Sequence, residues 1–302
     1  MLASGNHGTV KVFIPISLYL LSGAFFLMSS GCSDHTALTE KKDQFLQKDP
    51  ILRETGYSEE GVKDDTPQEK PLVLPVKRTR LRNSDLKVIS SLTMNRKTEY
   101  VDSAKVLKGV FEMELISKQL FEAQENSALN FLLEDTSKVR KKNGVTELYT
   151  RSGTRKYVDK PDAEEHKKIV DYVGQFEFLD AYVLHSTYYE SEDYRLIHKT
   201  SGKEISTFGS YPRVSPDKRH ILCIASNPYD NTADLELYSI KDTRIRHKLS
   251  VSFSNWMPIT DPGKIFWSTD GYLYLAVNHI HSFWKENGAI NETYQYIRIK
   301  IL

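Results

Sequence analysis

Two stretches of the chain show how its hydrophobic positions are arranged. In GVFEMELIS, Phe111, Met113 and Leu115 alternate with Glu112 and Glu114, the period-two pattern of a strand with one wet face. HILCIAS instead sets Cys223 among Ile221, Leu222 and Ile224, where a cysteine behaves as a small buried hydrophobe. ALNFLLED and VTELYTR read as two further strands, with an Asn143-Gly144 turn signal between them. One helix is predicted over 162–173. Asp162 and Glu165 form a capping box behind Pro161, Ile169, Val170 and Val173 supply an apolar side, and Gly174 can close the last turn. After Phe176 the chain becomes strand, turn, strand: DAYVLHSTYY, YRLIHKTSGKEISTF, RHILCIAS, ADLELYSIKDTRIRHKL, GKIFW, GYLYLAV and YQYIRIKIL. Ser201-Gly202, Pro216-Asp217, Lys241-Asp242 and Asp270-Gly271 supply the turn chemistry. The expected fold class is therefore mainly β, built of antiparallel sheets over residues 86–302 with one short helix.

The N-terminal third follows another pattern. Residues 12–31 carry no charge, and VFIPISLYLLSGAFFLM follows Lys11 and leads into Ser29, Ser30 and Gly31, the layout of an export signal. From residue 32 to 85 the chain is polar and charged without a sustained apolar period, which reads as a disordered tether. Within it Lys77, Arg78, Arg80 and Arg82 form a short basic run, read as a solvated linker rather than a headgroup site. No segment after the leader is long and apolar enough to span a bilayer.

The leader resembles the bacterial lipoprotein signal, in which small residues precede the cysteine that receives the lipid. Gly31 and Ser30 match the small positions, and Ser29 stands where that family prefers leucine. The resemblance makes 1–31 a signal peptide and Cys32 the acylated mature N-terminus, tethering the protein to a membrane through its acyl chains. An uncleaved anchor and an ordinary cleaved signal are the two other readings of the same stretch. In double-membraned bacteria, Ser33 rather than aspartate in the next position would permit transfer to the outer membrane.

A weak internal repeat lies further on. VSPDKRHILCIA resembles WSTDGYLYLAV, with Ser215 matching Ser268 and Asp217 matching Asp270, and YRLIHKTSGKEI lines up with LELYSIKDTRI. Repeats of about 40 to 50 residues made of short strands mark propeller blades. The SPD turn before a buried strand is similar to the blades of TolB-type and WD40-like propellers. Tyr188 to Glu190, Thr200 to Lys203 and Ser215 to Asp217 also resemble a group of uncharacterised bacterial envelope proteins; neither likeness implies an activity. Residues 86–302 hold at most about five units of this length, so an incomplete propeller-like stack and a β-sandwich both fit.

Charge narrows the partners. Forty-one Lys+Arg against 40 Asp+Glu leave a net charge of +1, so no long-range field draws in nucleic acid. Seventeen tyrosines favour half-buried strands. With Cys32 modified, Cys223 has no partner, and a disulfide framework is excluded.

Candidate chemistry is sparse. Ser215 and Lys218 match an S-x-x-K acyl-transferase element in form, but Pro216-Asp217 between strands makes it a turn. His279 and His281 would share one side of a strand, yet two imidazoles without an acidic or cysteine partner are not a metal site. Glu190 and Glu192 in YYESED, and Asp230 and Asp234 in NPYDNTAD, are acidic loop residues that could bind a ligand or simply form turns. Trp256 and Trp284 belong to an aromatic-rich stretch that is either core or an exposed protein- or glycan-binding patch. No cofactor and no metal is expected. The sequence favours a non-enzymatic, lipid-anchored envelope protein that displays a binding domain to an envelope protein or glycan. The alternatives are an envelope hydrolase or glycan-processing enzyme with its site in the acidic loops, and a purely structural or stress-related lipoprotein.

Overall fold

A computed structural model of the protein describes residues 78–95, 107–162 and 166–302, all inside one unit that spans 70–302. The leader, Cys32 and the tether up to residue 77 lie outside the described residues, as does Glu165. Four antiparallel sheets carry the chain in order. Sheet I is the meander β4 (Lys141–Lys142), β5 (Val145–Thr150) and β6 (Gly153–Val158). Sheet II is the meander β7 (Ile169–Phe176), β8 (Ala181–Thr187), β9 (Glu192–His198) and β10 (Glu204–Phe208). Sheet III follows as β11 (Arg213–Val214), β12 (His220–Asn227), β13 (Thr232–Lys241) and β14 (Arg244–Phe253), with β1 (Ile89–Met94) added beside β14. Sheet IV contains β16 (Ile265–Ser268), β17 (Leu273–His279) and β18 (Gln295–Ile301). On its edges lie β2 (Phe111–Ile116) beside β18 and β3 (Ala128–Leu129) beside β16, and β15 (Trp256–Pro258) also pairs with β17.

Side-chain alternation explains why these sheets stack rather than close into a barrel. Along β12, Ile221 and Cys223 pack with Val183, Leu196 and Phe208 of sheet II, whereas Leu222 and Ile224 pack with Leu275 and Ile299 of sheet IV. A strand buried on both faces reads as an unbroken apolar run, which is the pattern of HILCIAS. Between sheets I and II a smaller core joins Leu148 to Val170, Leu184 and Ile197. At the opposite end, helix α1 (Lys118–Glu125) lays Phe121 over Phe266, Tyr274 and Tyr296 of sheet IV. Ser117 caps α1, its hydroxyl oxygen accepting from the Leu120 amide at 3.2 Å.

The internal repeat corresponds to two equivalent hairpins, β11–β12 and β16–β17. In the first, Asp217 accepts from the Arg219 amide at 3.0 Å; in the second, Asp270 accepts from the Tyr272 amide at the same distance. Ser215 is buried, its hydroxyl engaged with Asp217 and with the backbone of His220, so the S-x-x-K match is a turn.

Three expectations are corrected. The helix predicted over 162–173 is replaced from Ile169 onward by β7; Ile169, Val170 and Val173 are β-branched, and strand pairing with β8 satisfies them better than a helix would. ALNFLLED forms only the two-residue β3, and VTELYTR pairs instead with Lys141–Lys142 and with β6, whose polar sequence gives no apolar period. The stretch read as tether to residue 85 packs from Leu81 onward: its amide donates to Gln295 Oε1 at 2.7 Å, and its side chain joins the core between sheets III and IV. A single leucine inside VKRTRLR offers no period to read.

Candidate functional site

A segment bridges sheets IV and II. Residues 128–129 pair with β16, and four residues later Leu133 exchanges both backbone hydrogen bonds with Gln175 of β7, at 2.9 and 3.0 Å. The strap requires a glycine beneath it. At Gly174 (φ +157°) a Cβ would lie 2.7 Å from the Leu133 carbonyl oxygen, closer than atoms approach. Between strap and sheets lies a cavity of 460 Å³, walled by Phe131 of the strap, Tyr194 of β9, Tyr211 and Arg213 beside sheet III, and Trp267 of β16. Its size falls within the range of about 300–1,000 Å³ common to small-molecule sites.

Arg213 is the interior cation of this cavity. Its guanidinium lies 5.1 Å from the Tyr211 ring centroid, and one Nη donates to the Tyr211 carbonyl at 3.3 Å. Trp267 Nε1 holds the Arg213 backbone, donating to its carbonyl at 3.2 Å. Among the described residues no carboxylate lies within 4.0 Å of the guanidinium, and burial depresses its pKa. The planar fork has five N–H donors, so most remain for a guest. Tyr211 and Tyr194 meet edge to face at 5.6 Å, and burial pushes the Tyr194 hydroxyl up to about 12. Two acids, Glu134 and Asp261, line the cavity from exposed positions.

None of the acidic loop residues lines this cavity, nor does Trp256 or Trp284, but Phe266 and Trp267 of the aromatic-rich stretch do. Glu192 is 2.8 Å from His185 Nε2, and that imidazole stacks on Tyr194 at 4.6 Å. Glu190 is exposed in the β8–β9 connection. Asp230 closes its own turn, accepting from Asn227 Nδ2 at 2.9 Å. Asp234 hydrogen-bonds the Ser252 hydroxyl and lines a separate cleft of 340 Å³ on sheet III with Glu236, Ser250 and Ser252. In that area His247 Nε2 lies 2.7 Å from Ser250 Oγ, a pair that no sequence motif announces. Trp256 is corrected as a surface binder: it is fully buried, packed on Phe253 at 4.7 Å, because β15 is covered on both faces, Trp256 entering the core between sheets III and IV and Met257 the cluster on the other side. Trp284 keeps 45% of its surface exposed.

His279 is buried rather than on the surface, and its Nδ1 accepts from the His281 amide at 3.2 Å, which turns the chain out of β17. Among the described residues no three metal-ligating side chains come together, and no helix is long and apolar enough to cross a membrane. Cys223 is buried, which pushes its thiol well above the usual range. Sequence reasoning missed Arg213, although it is the one charge between Glu204 and Asp217 and stands on the short strand before the SPD turn.

The fold and cavity define a mainly β protein with a strap-closed pocket. Comparison with family models, curated proteins and solved structures returns no match to the chain.

Proposed function

We propose that this is a lipid-anchored cell-envelope protein whose β domain is a binding module of propeller-like stacked sheets, with the cavity under the strap as its ligand seat. The observation that carries the reading is the cavity itself, which gathers aromatic side chains from the strap and from sheets II and IV beside the Arg213 guanidinium of sheet III. Its lining offers recognition groups, an aromatic wall beside one guanidinium. The anchor rests on the leader pattern and Cys32. Two arms of one experiment test it. In cells, clickable fatty-acid labelling of wild type and Cys32→Ala should give label that requires Cys32 and is recovered with the envelope. Native mass spectrometry of the purified protein should detect a retained small molecule that Phe131→Ala loses. Label independent of Cys32 contradicts the anchor, and a pocket that accepts nothing from an envelope extract contradicts the module.

A second reading, an envelope hydrolase, is favoured by one distance: Ser250 Oγ stands 2.7 Å from His247 Nε2, within the reach of a nucleophile and its base. Glu236 Oε1 is 3.4 Å from the same hydroxyl. A fluorophosphonate probe separates the two readings. Labelling that disappears in Ser250→Ala supports the hydrolase, and its absence beside retained ligand binding supports the module.

A further inference from the structure

We infer that the strap-closed cavity binds a short peptide or amino acid through its α-carboxylate, held by Arg213, with an aromatic or large apolar side chain against the tyrosines. The inference rests on the binding-module reading and adds its ligand class. The first support is a charge left open. Of two half-buried arginines, Arg195 is 3.3 Å from Asp193 and donates to Ser186 Oγ at 2.6 Å, whereas among the described residues Arg213 meets a ring and one carbonyl and no carboxylate. A guanidinium fork in a desolvated pocket matches a planar carboxylate, which it can grip with two parallel hydrogen bonds.

The second support is the wall. Phe131, Tyr194, Tyr211 and Trp267 offer flat apolar surface beside the cation, so the guest must carry more than a bare anion. The third is the placement of the acids. Glu134 and Asp261 line the same cavity from exposed positions, where they repel polyanions such as a nucleotide and attract an ammonium group. An anion-seeking interior with acidic residues toward solvent is the complement of a zwitterion whose carboxylate enters first.

Isothermal titration calorimetry on the full chain in detergent tests this with five probes: alanyl-phenylalanine, its C-terminal amide, N-acetyl-phenylalanine, phenyl phosphate and inorganic phosphate. The dipeptide should bind and its amide should bind about tenfold or more weakly, since a charge-assisted fork is lost. Arg213→Ala should abolish dipeptide binding. Arg213→Lys should keep the fold, checked by its melting temperature, without restoring affinity, because an ammonium cannot reproduce the fork. Glu134→Gln should weaken the dipeptide while leaving N-acetyl-phenylalanine, which lacks the ammonium, unchanged. Equal binding of dipeptide and amide, or undiminished binding to Arg213→Ala, overturns the assignment. Arg213-dependent binding of phenyl phosphate with none of the dipeptide overturns the carboxylate class while leaving the module intact. If all five probes fail and native mass spectrometry also finds the cavity without any retained molecule, the module reading falls with the inference.

Discussion

Arg195 and Arg213 are the same side chain in two differently completed environments. Arg195 sits between sheets I and II, where Asp193 lies 3.3 Å away, Ser186 accepts from it and the Tyr157 ring stands 5.5 Å from the guanidinium. Tyr188 completes that network by donating to the other Asp193 oxygen at 2.7 Å. The ion pair is bent away from linear hydrogen-bond geometry, so it acts through charge rather than through a directed bond. Arg213 has the aromatic partner and, among the described residues, no acid, and it borders a cavity. The contrast separates a charge that serves the fold from one available to a guest.

The largest expected effect comes from breaking the completed network. Arg195→Ala should lower stability by roughly 2 kcal/mol, because Asp193 loses its paired guanidinium and keeps only the longer-range charge of Lys168; urea denaturation reads this directly. Gly174→Ala should cost about 2 kcal/mol through the strained backbone and the Leu133 carbonyl, and should also open the cavity, seen as lost ligand retention. Arg213→Ala should change stability by only about 1 kcal/mol or less, since an aromatic contact and one hydrogen bond are removed without stranding an acid. A loss as large as that of Arg195→Ala would erase the distinction between the two sites.

Alkaline pH sharpens the comparison further. Burial lifts both Tyr194, beside the cavity, and Tyr172, in the core between sheets I and II, to about 12. A folded value above the unfolded value of about 10 means that the stabilising contribution is complete below pH ~10 and is lost as pH climbs towards 12. The urea midpoint should therefore fall over that window, and Tyr194→Phe should flatten the fall. The smallest effect is expected at Trp284→Ala, within about 0.5 kcal/mol, as befits a side chain far less enclosed than Trp256.

Much of the fold was legible because strands and turns leave local marks. Asn143-Gly144 and Asp270-Gly271 sit in the conformations their side chains favour, with Asn143, Gly144 and Gly271 all at positive φ. The turn read at Lys241-Asp242 falls one residue later, at Asp242 and Thr243. The N-terminal half of the β body was harder to read. β6 exposes Thr154, Arg155 and Lys156, and so has no buried period, while β7 interrupts its alternation with a bulge near Val173 that mimics helical spacing. Gly174, read as the end of a helix, serves instead as the floor of the strap.

The candidate site was barely legible, since its residues lie far apart in sequence and share no spacing. Tyr194, Arg213 and Trp267 come together through the stacking of three sheets, and Phe131 joins them because the strap crosses from sheet IV to sheet II. The acidic loop residues drew attention as a cluster in sequence, yet Asp230 is occupied by its own turn and Glu192 by His185.

The central claim is that Arg213 is left open for a carboxylate guest. Its most direct test is urea denaturation of wild type and Arg213→Ala with and without alanyl-phenylalanine at about 100 times its Kd for wild type. Linkage predicts a gain of about 2.7 kcal/mol in wild type and none in the variant. Equal gains in both proteins, or no gain in wild type, would contradict the account.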